Sequence, residues 1–186
     1  MANSALLVMD IQRSVVELAD DGSGYLTRLR RAIGAARAAG IPVVYVVMGL
    51  RPDDRDVSPR NRLVSAVART GIFTEGTPAV EIPAEVAPQP GDVVVTKRRG
   101  SAFSGSDLDL VLRARDIDGL VLAGIATSGV VLSTVCQATD LDLRLTVLED
   151  ACLDLDPEVH RFLVEKLFPR QADVLSVADW SAAVAP

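Results

Sequence analysis

The chain has 186 residues, 49% of them hydrophobic and 24% charged, which is the size and balance of one globular domain and argues against disorder. Its formal net charge of −6 argues against a partner that is a nucleic acid or an anionic membrane. No apolar run reaches the roughly 18 residues that a membrane helix needs, and the N-terminus lacks a secretory signal pattern. We therefore expect a cytoplasmic protein with a single domain over residues 1–186.

Six short apolar segments predict six strands. They are residues 5–9, 41–47, 92–97, 119–124, 143–150 and 172–177. Helical spacing predicts helices over 26–36, 108–112, 131–141 and 156–168. The last of these has Asp156 as its N-cap and Pro157 at its first position. Because strands that alternate with helices form parallel sheets, we predict an α/β protein with a three-layer, Rossmann-like fold and a six-stranded parallel sheet flanked by helices.

Residues 48–91 depart from this alternation. The segment is rich in Pro, Arg, Asp and Gly, and its pattern predicts at most one short helix, around residues 61–68. A connection of this length inside one domain is usually a lid or a binding loop. We therefore predict that residues 48–91 form a long loop over the functional site.

Polar side chains at three predicted strand ends are the candidates for that site. Asp10 ends the first strand, with Gln12 two residues later, Lys97 ends the third, and residues 124–129 form a turn after the fourth. Taken singly, Asp10 could be a turn residue and Lys97 a surface charge. The carboxyl ends of parallel strands meet at one edge of the sheet, so we expect these groups to converge. A carboxylate beside a lysine suits acid–base chemistry, and the turn would supply N–H groups to an anion.

Four segments resemble a known family. They read LLVMDIQ over residues 6–12, VVTKRRGSAF over 94–103, SDLDLVLRARDIDGLVLAGIAT over 106–127 and VLEDAC over 147–152. In order and spacing they resemble the isochorismatase-like hydrolases, also called the cysteine hydrolase superfamily, over nearly the whole chain. The resemblance implies that Asp10 is the catalytic carboxylate and Lys97 the catalytic lysine. It also implies a non-proline cis peptide bond at Ile125–Ala126 and a homodimer or homotetramer.

Most members of that family have a cysteine nucleophile in a G-x-x-T-x-x-C turn. Counted from Gly124, the pattern places Thr127 on the threonine and Val130 on the cysteine. Cys136 lies six residues further along the predicted helix, roughly 9 Å along its axis, so we interpret it as a structural residue. Cys152, after a strand, is interpreted in the same way. The sequence therefore predicts a family member without the nucleophilic cysteine.

Two other side chains are candidates for catalysis or metal binding. Ser128 lies in the turn, but without a histidine base its hydroxyl would be a weak nucleophile. His160 is the only histidine, and we interpret it as an ordinary residue of the helix over 156–168. Some amide-hydrolysing relatives bind a metal through an Asp and two His, a set that one histidine cannot supply. We therefore expect no metal and no other cofactor.

The first functional hypothesis is an isochorismatase-type hydrolase of an enol ether or a similar small anionic metabolite. The resemblance implies that Asp10 protonates the vinyl carbon, that water attacks the resulting oxocarbenium ion, and that pyruvate is released. Lys97 would hold the substrate or tune Asp10, while Arg99, with Arg60 or Arg62, could bind its carboxylates. The other predicted substrate-binding residues are Gln12, Thr127, Ser128, Gly129 and Val130.

Two alternatives stay open at this point. The chain could be a catalytically inactive homologue that serves as a ligand-binding or assembly module, although such a module would not need to keep both Asp10 and Lys97. It could instead hydrolyse amides by cysteine chemistry, which requires a thiolate that the turn does not supply.

Overall fold

The computed structural model describes residues 3–19 and 22–185. Its strands are β1 (Ser4–Met9), β2 (Val43–Met48), β3 (Val93–Lys97), β4 (Gly119–Ile125), β5 (Arg144–Leu153) and β6 (Asp173–Leu175). Its α-helices are α1 (Arg13–Ala19), α2 (Tyr25–Ala38), α3 (Arg62–Ala68), α4 (Leu108–Ala114), α5 (Leu132–Asp140), α6 (Pro157–Phe162) and α7 (Val177–Val184). Among these helices, none is long and apolar enough to cross a membrane.

The six strands form one sheet in the order β3-β2-β1-β4-β5-β6, and every pairing is parallel. The predicted α/β fold with a six-stranded parallel sheet is therefore confirmed. The strand order reverses between β1 and β4, where Met9 pairs with Gly124. In open parallel sheets ligands bind beyond the carboxyl ends of the strands at such a reversal. Asp10 follows β1 directly, so it lies at this point.

The core consists of two apolar layers, one on each face of the sheet. Alternate residues of β1 point to opposite faces, as the pleat of a strand requires. Leu6 and Val8 join the layer formed with α2 and α7, whereas Leu7 and Met9 join the layer formed with α4 and α5. Because both faces are covered at the centre of the sheet, β1, β2 and β4 are almost wholly apolar and are visible in the sequence as unbroken runs.

The structure differs from the prediction at two helices. α1 was not predicted, because its seven residues bury only Val15 and Val16 and show no sustained period. α7 was not predicted either, and the strand expected over 172–177 ends at Leu175. Ser176 terminates that strand because its hydroxyl accepts the Asp179 N–H and caps α7.

The predicted start of the helix between β5 and β6 is confirmed. So is the prediction of a single short α-helix in the long segment between β2 and β3. The Asp156 side chain accepts the N–H groups of Glu158 and Val159, with Pro157 at the first position of α6. α6 continues into a π-helical turn (Leu163–Leu167) and a 3-10 turn (Phe168–Arg170). Between β2 and β3, α3 and two 3-10 turns (Pro78–Val80 and Ala84–Val86) are the helical elements of the described chain.

The close approach of β1 and β4 at the strand reversal gives a first prediction. A Cβ at Gly124 would lie 2.5 Å from the Met9 carbonyl oxygen, whereas one at Gly119 would meet the Ser4 hydroxyl at 2.6 Å. The Met9 backbone cannot move without disturbing the sheet, but the Ser4 hydroxyl can rotate. We expect Gly124→Ala to lower the free energy of unfolding by about 1–3 kcal/mol, and Gly119→Ala to lower it less. Urea unfolding of both variants tests this, and equal losses would contradict it.

Candidate active site

Asp10 and Lys97 form a buried ion pair at the carboxyl edge of the sheet. Lys97 is the last residue of β3, which is separated from β1 by β2. Its Nζ lies 2.9 Å from Asp10 Oδ2 and also donates to the Arg99 carbonyl oxygen at 2.9 Å. Asp10 is 5% exposed and Lys97 1%. Charges buried to this extent are stable only when paired, so each residue holds the other in place.

The second carboxylate oxygen of Asp10, Oδ1, has no hydrogen-bond partner among the described residues. Burial raises the pKa of Asp10, while the charge and hydrogen bond of Lys97 and the nearby Met48 N–H oppose that rise. By its geometry the Met48 N–H donates to Gln12 Oε1, at 2.9 Å. Since Lys97 donates to Oδ2, a proton bound to this carboxyl belongs on Oδ1. Asp10 is therefore an acid–base group beside the cavity, with one oxygen fixed by Lys97 and the other buried without a partner among the described residues.

Gln12 ties the segment after β1 to β2. Its Nε2 donates to the Met48 carbonyl oxygen at 2.9 Å, and its Oε1 accepts the Met48 N–H at 2.9 Å. The side chain is fully buried. Gln12 does not line the cavity beside Asp10. Its contacts are those of a residue that positions Asp10, which itself has a φ of 55°, a left-handed conformation uncommon outside glycine.

The turn after β4 forms the other side of the site. The Ile125–Ala126 peptide bond is cis, as the resemblance implied. Residues Thr127–Val131 then form a π-helical turn that leads into α5. The Ser128 N–H donates to Asp154 Oδ2 at 2.6 Å, and Asp154 directly follows β5. The negative group at this turn is therefore a carboxylate of the protein itself.

His160 contacts the same turn. Its Nδ1 lies 2.8 Å from the Thr127 hydroxyl, so the histidine on α6 holds the turn rather than acting only as an ordinary helix residue. Sequence reasoning missed this contact and that of Asp154. The contact from His160 joins residues 33 positions apart, which no local pattern reveals. Asp154 directly follows β5, as Asp10 follows β1, but the strand predicted over 143–150 ended too early to show this.

A cavity of about 480 Å³ lies between these two halves. Asp10, Lys97, Ser128, Gly129, Val130 and Asp154 line it. Most of its remaining wall is aliphatic or aromatic and comes from α1, α3 and the residues after α3. A hollow of about 630 Å³ at the opposite end of the sheet includes Arg144 and Arg170 but neither Asp10 nor Lys97. The smaller cavity is the candidate site, because ligands bind at the carboxyl ends of parallel strands.

The predicted arginines do not line this cavity. Arg99 donates to the carbonyl oxygens of Arg98 and Asp56, each at 2.6 Å. Arg62 is exposed at the start of α3, and Arg60 is exposed before it. The structure thus brings Asp10, Lys97 and the turn together, and leaves these guanidinium groups outside.

Neither cysteine lines the cavity. Cys136 is exposed on α5, and Cys152 is buried in β5. Burial raises the pKa of the Cys152 thiol to about 12, so it is protonated and unreactive at neutral pH. At the turn, Val130 lines the cavity at the position where the family pattern places cysteine, and its side chain carries no nucleophile.

Comparison with known proteins establishes the family. A family model described as the isochorismatase domain matches residues 4–179. The chain belongs to the isochorismatase family. It is 35% identical over 176 residues to the ureidoacrylate amidohydrolase RutB of Variovorax paradoxus (strain S110), covering 83% of this chain and 70% of the relative. It is 32% identical over 179 residues to the uncharacterized isochorismatase family protein YecD of Escherichia coli O157:H7, covering 95% and 93%.

A solved structure agrees with this assignment. A cysteine hydrolase from Pseudomonas syringae pv. phaseolicola 1448A has a TM-score of 0.89 to this chain at 26% identity, and the match covers 98% of this chain and 92% of that one. The protein is therefore an isochorismatase-family hydrolase with the α/β architecture of that family.

The partial burial of His160 gives a prediction on acid stability. Burial lowers the pKa of His160 below its ordinary value of 6.5, against the attraction of Asp154 and Glu149. The unfolded chain therefore binds this proton at a higher pH than the folded protein does. The stability that His160 contributes is complete above about pH 6.5 and is lost as the pH falls below that value.

The free energy of unfolding of the wild type should fall between roughly pH 7.5 and 5.5. We expect that of His160→Gln to fall less over the same range. Urea unfolding at several pH values measures that loss. The carboxylates common to both proteins supply the background slope. Equal slopes for the wild type and the variant would show that His160 has no such role.

Proposed function

We propose that this isochorismatase-family hydrolase cleaves its substrate by acid catalysis from Asp10, without a covalent intermediate on cysteine. The observation that carries the proposal is the state of the Asp10 carboxyl. Lys97 fixes Oδ2 at 2.9 Å, burial raises the pKa, and Oδ1 has no partner among the described residues. A carboxyl whose pKa is raised by burial holds its proton up to a higher pH and can donate it to a substrate.

An enol ether is the simplest substrate for this chemistry. Asp10 Oδ1 gives its proton to the vinyl carbon, and the carbon bonded to the ether oxygen becomes an oxocarbenium ion. The Asp10 carboxylate formed in this step is stabilised by Lys97. Water adds to the cation and returns one proton to Asp10, and the resulting hemiketal collapses to a ketone and an alcohol. One water is consumed, one C–O bond is broken, and Asp10 is regenerated.

The side chains at the turn support a mechanism without a covalent step. Val130 occupies the position where the family pattern places cysteine. The Thr127 hydroxyl contacts His160, an arrangement that could activate a nucleophile, but Thr127 is fully buried and does not line the cavity. Ser128 lines the cavity without a described histidine contact, since His160 is bonded to Thr127. Proton transfer by Asp10 is the chemistry these residues support best.

Asp10→Asn tests the proposal directly. We expect it to lower kcat by about 10²- to 10⁴-fold, the usual contribution of a general acid. The assay is product release from a panel of isochorismate, other enol ethers and carboxamides. Because the substitution leaves Lys97 without its counter-ion, the melting temperature of the variant is measured in parallel. Asp173→Asn, at an exposed position of β6, is the matched control and should keep its kcat. Turnover that survives Asp10→Asn unchanged would overturn the assignment.

The pH dependence of the wild type provides a check that needs no variant. If the protonated carboxyl is the active form, kcat/KM falls as the pH rises through the raised pKa of Asp10. If kcat/KM instead rises with pH over that range, Asp10 acts as a base. A protein that binds members of the panel but turns none over would instead be a ligand-binding module.

The absence of cysteine chemistry is tested by blocking the exposed thiol. We expect iodoacetamide to modify Cys136 and to spare Cys152, whose burial raises its pKa to about 12. Activity should stay unchanged within about twofold after alkylation and in Cys136→Ser, since neither residue lines the cavity. Mass spectrometry of enzyme quenched during turnover should show no covalent adduct. Loss of activity on alkylation would restore the cysteine mechanism.

A further inference from the structure

We propose that the substrate of this site is uncharged and carries a compact apolar group, which binds against α1 and α3. The inference rests on the proposed function, since it concerns the same cavity, and it replaces the expected anionic substrate. Two features of the cavity lead to it. Its only described cation, Lys97, already donates to Asp10 and to a backbone carbonyl oxygen, and most of its wall is hydrocarbon.

The charges that line the cavity disfavour an anion. They are Asp10, Lys97 and Asp154. The Lys97 ammonium is held between Asp10 Oδ2 and the Arg99 carbonyl oxygen, each at 2.9 Å. Asp154 adds a second carboxylate that is buried. A substrate carboxylate would have to displace the Asp10 carboxyl from Lys97 Nζ and would also be repelled by Asp154, because charges interact more strongly in a partly dry cavity than in water.

Two N–H groups of the turn are already bonded to oxygen atoms of the protein. The Ser128 N–H donates to Asp154 Oδ2 at 2.6 Å, and the Gly129 N–H donates to the Ala126 carbonyl oxygen at 3.0 Å. Asp154 Oδ1 also accepts the Asp156 N–H at 3.2 Å. The carboxylate of Asp154 thus already occupies the place at the turn that a substrate anion would take.

The apolar wall indicates what the cavity binds instead. α1 contributes Val15, Leu18 and Ala19, α3 contributes Leu63, Val64, Ala66 and Val67, and Ile72, Phe73 and Leu155 complete the wall. Three of these side chains are largely exposed, namely Leu18 at 62%, Leu63 at 62% and Leu155 at 61%. An apolar group that enters the cavity removes this surface from water, which is the main source of affinity in small-molecule sites.

Binding of matched amides and acids to the intact wild-type protein tests the proposal. The probes are straight-chain primary carboxamides from propanamide to hexanamide and the carboxylates of the same lengths, measured by ligand-observed NMR at pH 7.5. We expect Kd of the amides to fall about fourfold for each added methylene, which corresponds to about 0.8 kcal/mol per buried CH₂. Each carboxylate should bind at least about tenfold more weakly than its amide, because it meets no free cation.

Two variants locate the effect in the cavity. Val67→Thr keeps the side-chain shape but adds a hydroxyl to the wall, so it should reduce the gain per methylene, whereas the control Val94→Thr, at an exposed position of β3, should not. Asp154→Asn removes the second carboxylate but keeps an acceptor for the Ser128 N–H. It should narrow the gap between amide and carboxylate at least about fivefold.

Carboxylates that bind as tightly as the amides, or amide affinities that do not depend on chain length, would overturn the proposal. So would an Asp154→Asn variant with an unchanged gap. These measurements require no turnover, so their failure leaves the assignment of Asp10 as the acid standing. A loss of that assignment in the Asp10→Asn experiment likewise leaves the binding series valid.

Discussion

The buried ion pair of Asp10 and Lys97 is the constraint on which the rest of the site depends. Burying one such charge without a partner costs several kcal/mol, so the two groups have to arrive together with little freedom. The sheet order meets this requirement, because β1 and β3 end at the same edge on either side of β2. Gln12 completes it by pairing with both backbone groups of Met48, which fixes the chain after Asp10 against β2.

The same edge of the sheet carries the second half of the site, which is the turn after β4. β4 approaches β1 so closely at Gly124 that a side chain would collide with the Met9 backbone, and the turn that follows therefore lies directly beside Asp10. Asp154 and His160 hold this turn from outside, through Ser128 and Thr127. The acid is thus supported by strands β1 to β3, and the turn beside it is supported by β4, β5 and α6.

The sequence made the fold and the first half of the site predictable for physical reasons. Strands covered on both faces are unbroken apolar runs, and Asp10 and Lys97 stand out because each interrupts one. Arg62 and Arg99 were predicted to reach the substrate, but their placement depends on an aperiodic segment, whose carbonyl oxygen at Asp56 binds Arg99. The contact of His160 could not be predicted either, because its partner Thr127 is distant in sequence.

Val130 links the chemistry of the site to the substrate class. A thiolate at this position would need nearby positive charge or turn N–H groups to stabilise it, and those features would also attract anions. A valine side chain needs no such stabilisation, and the Ser128 N–H donates to Asp154. The valine also extends the apolar wall formed by α1 and α3. The proposed acid catalysis by Asp10 and the proposed uncharged, apolar substrate would thus both follow from valine at this position of the family pattern.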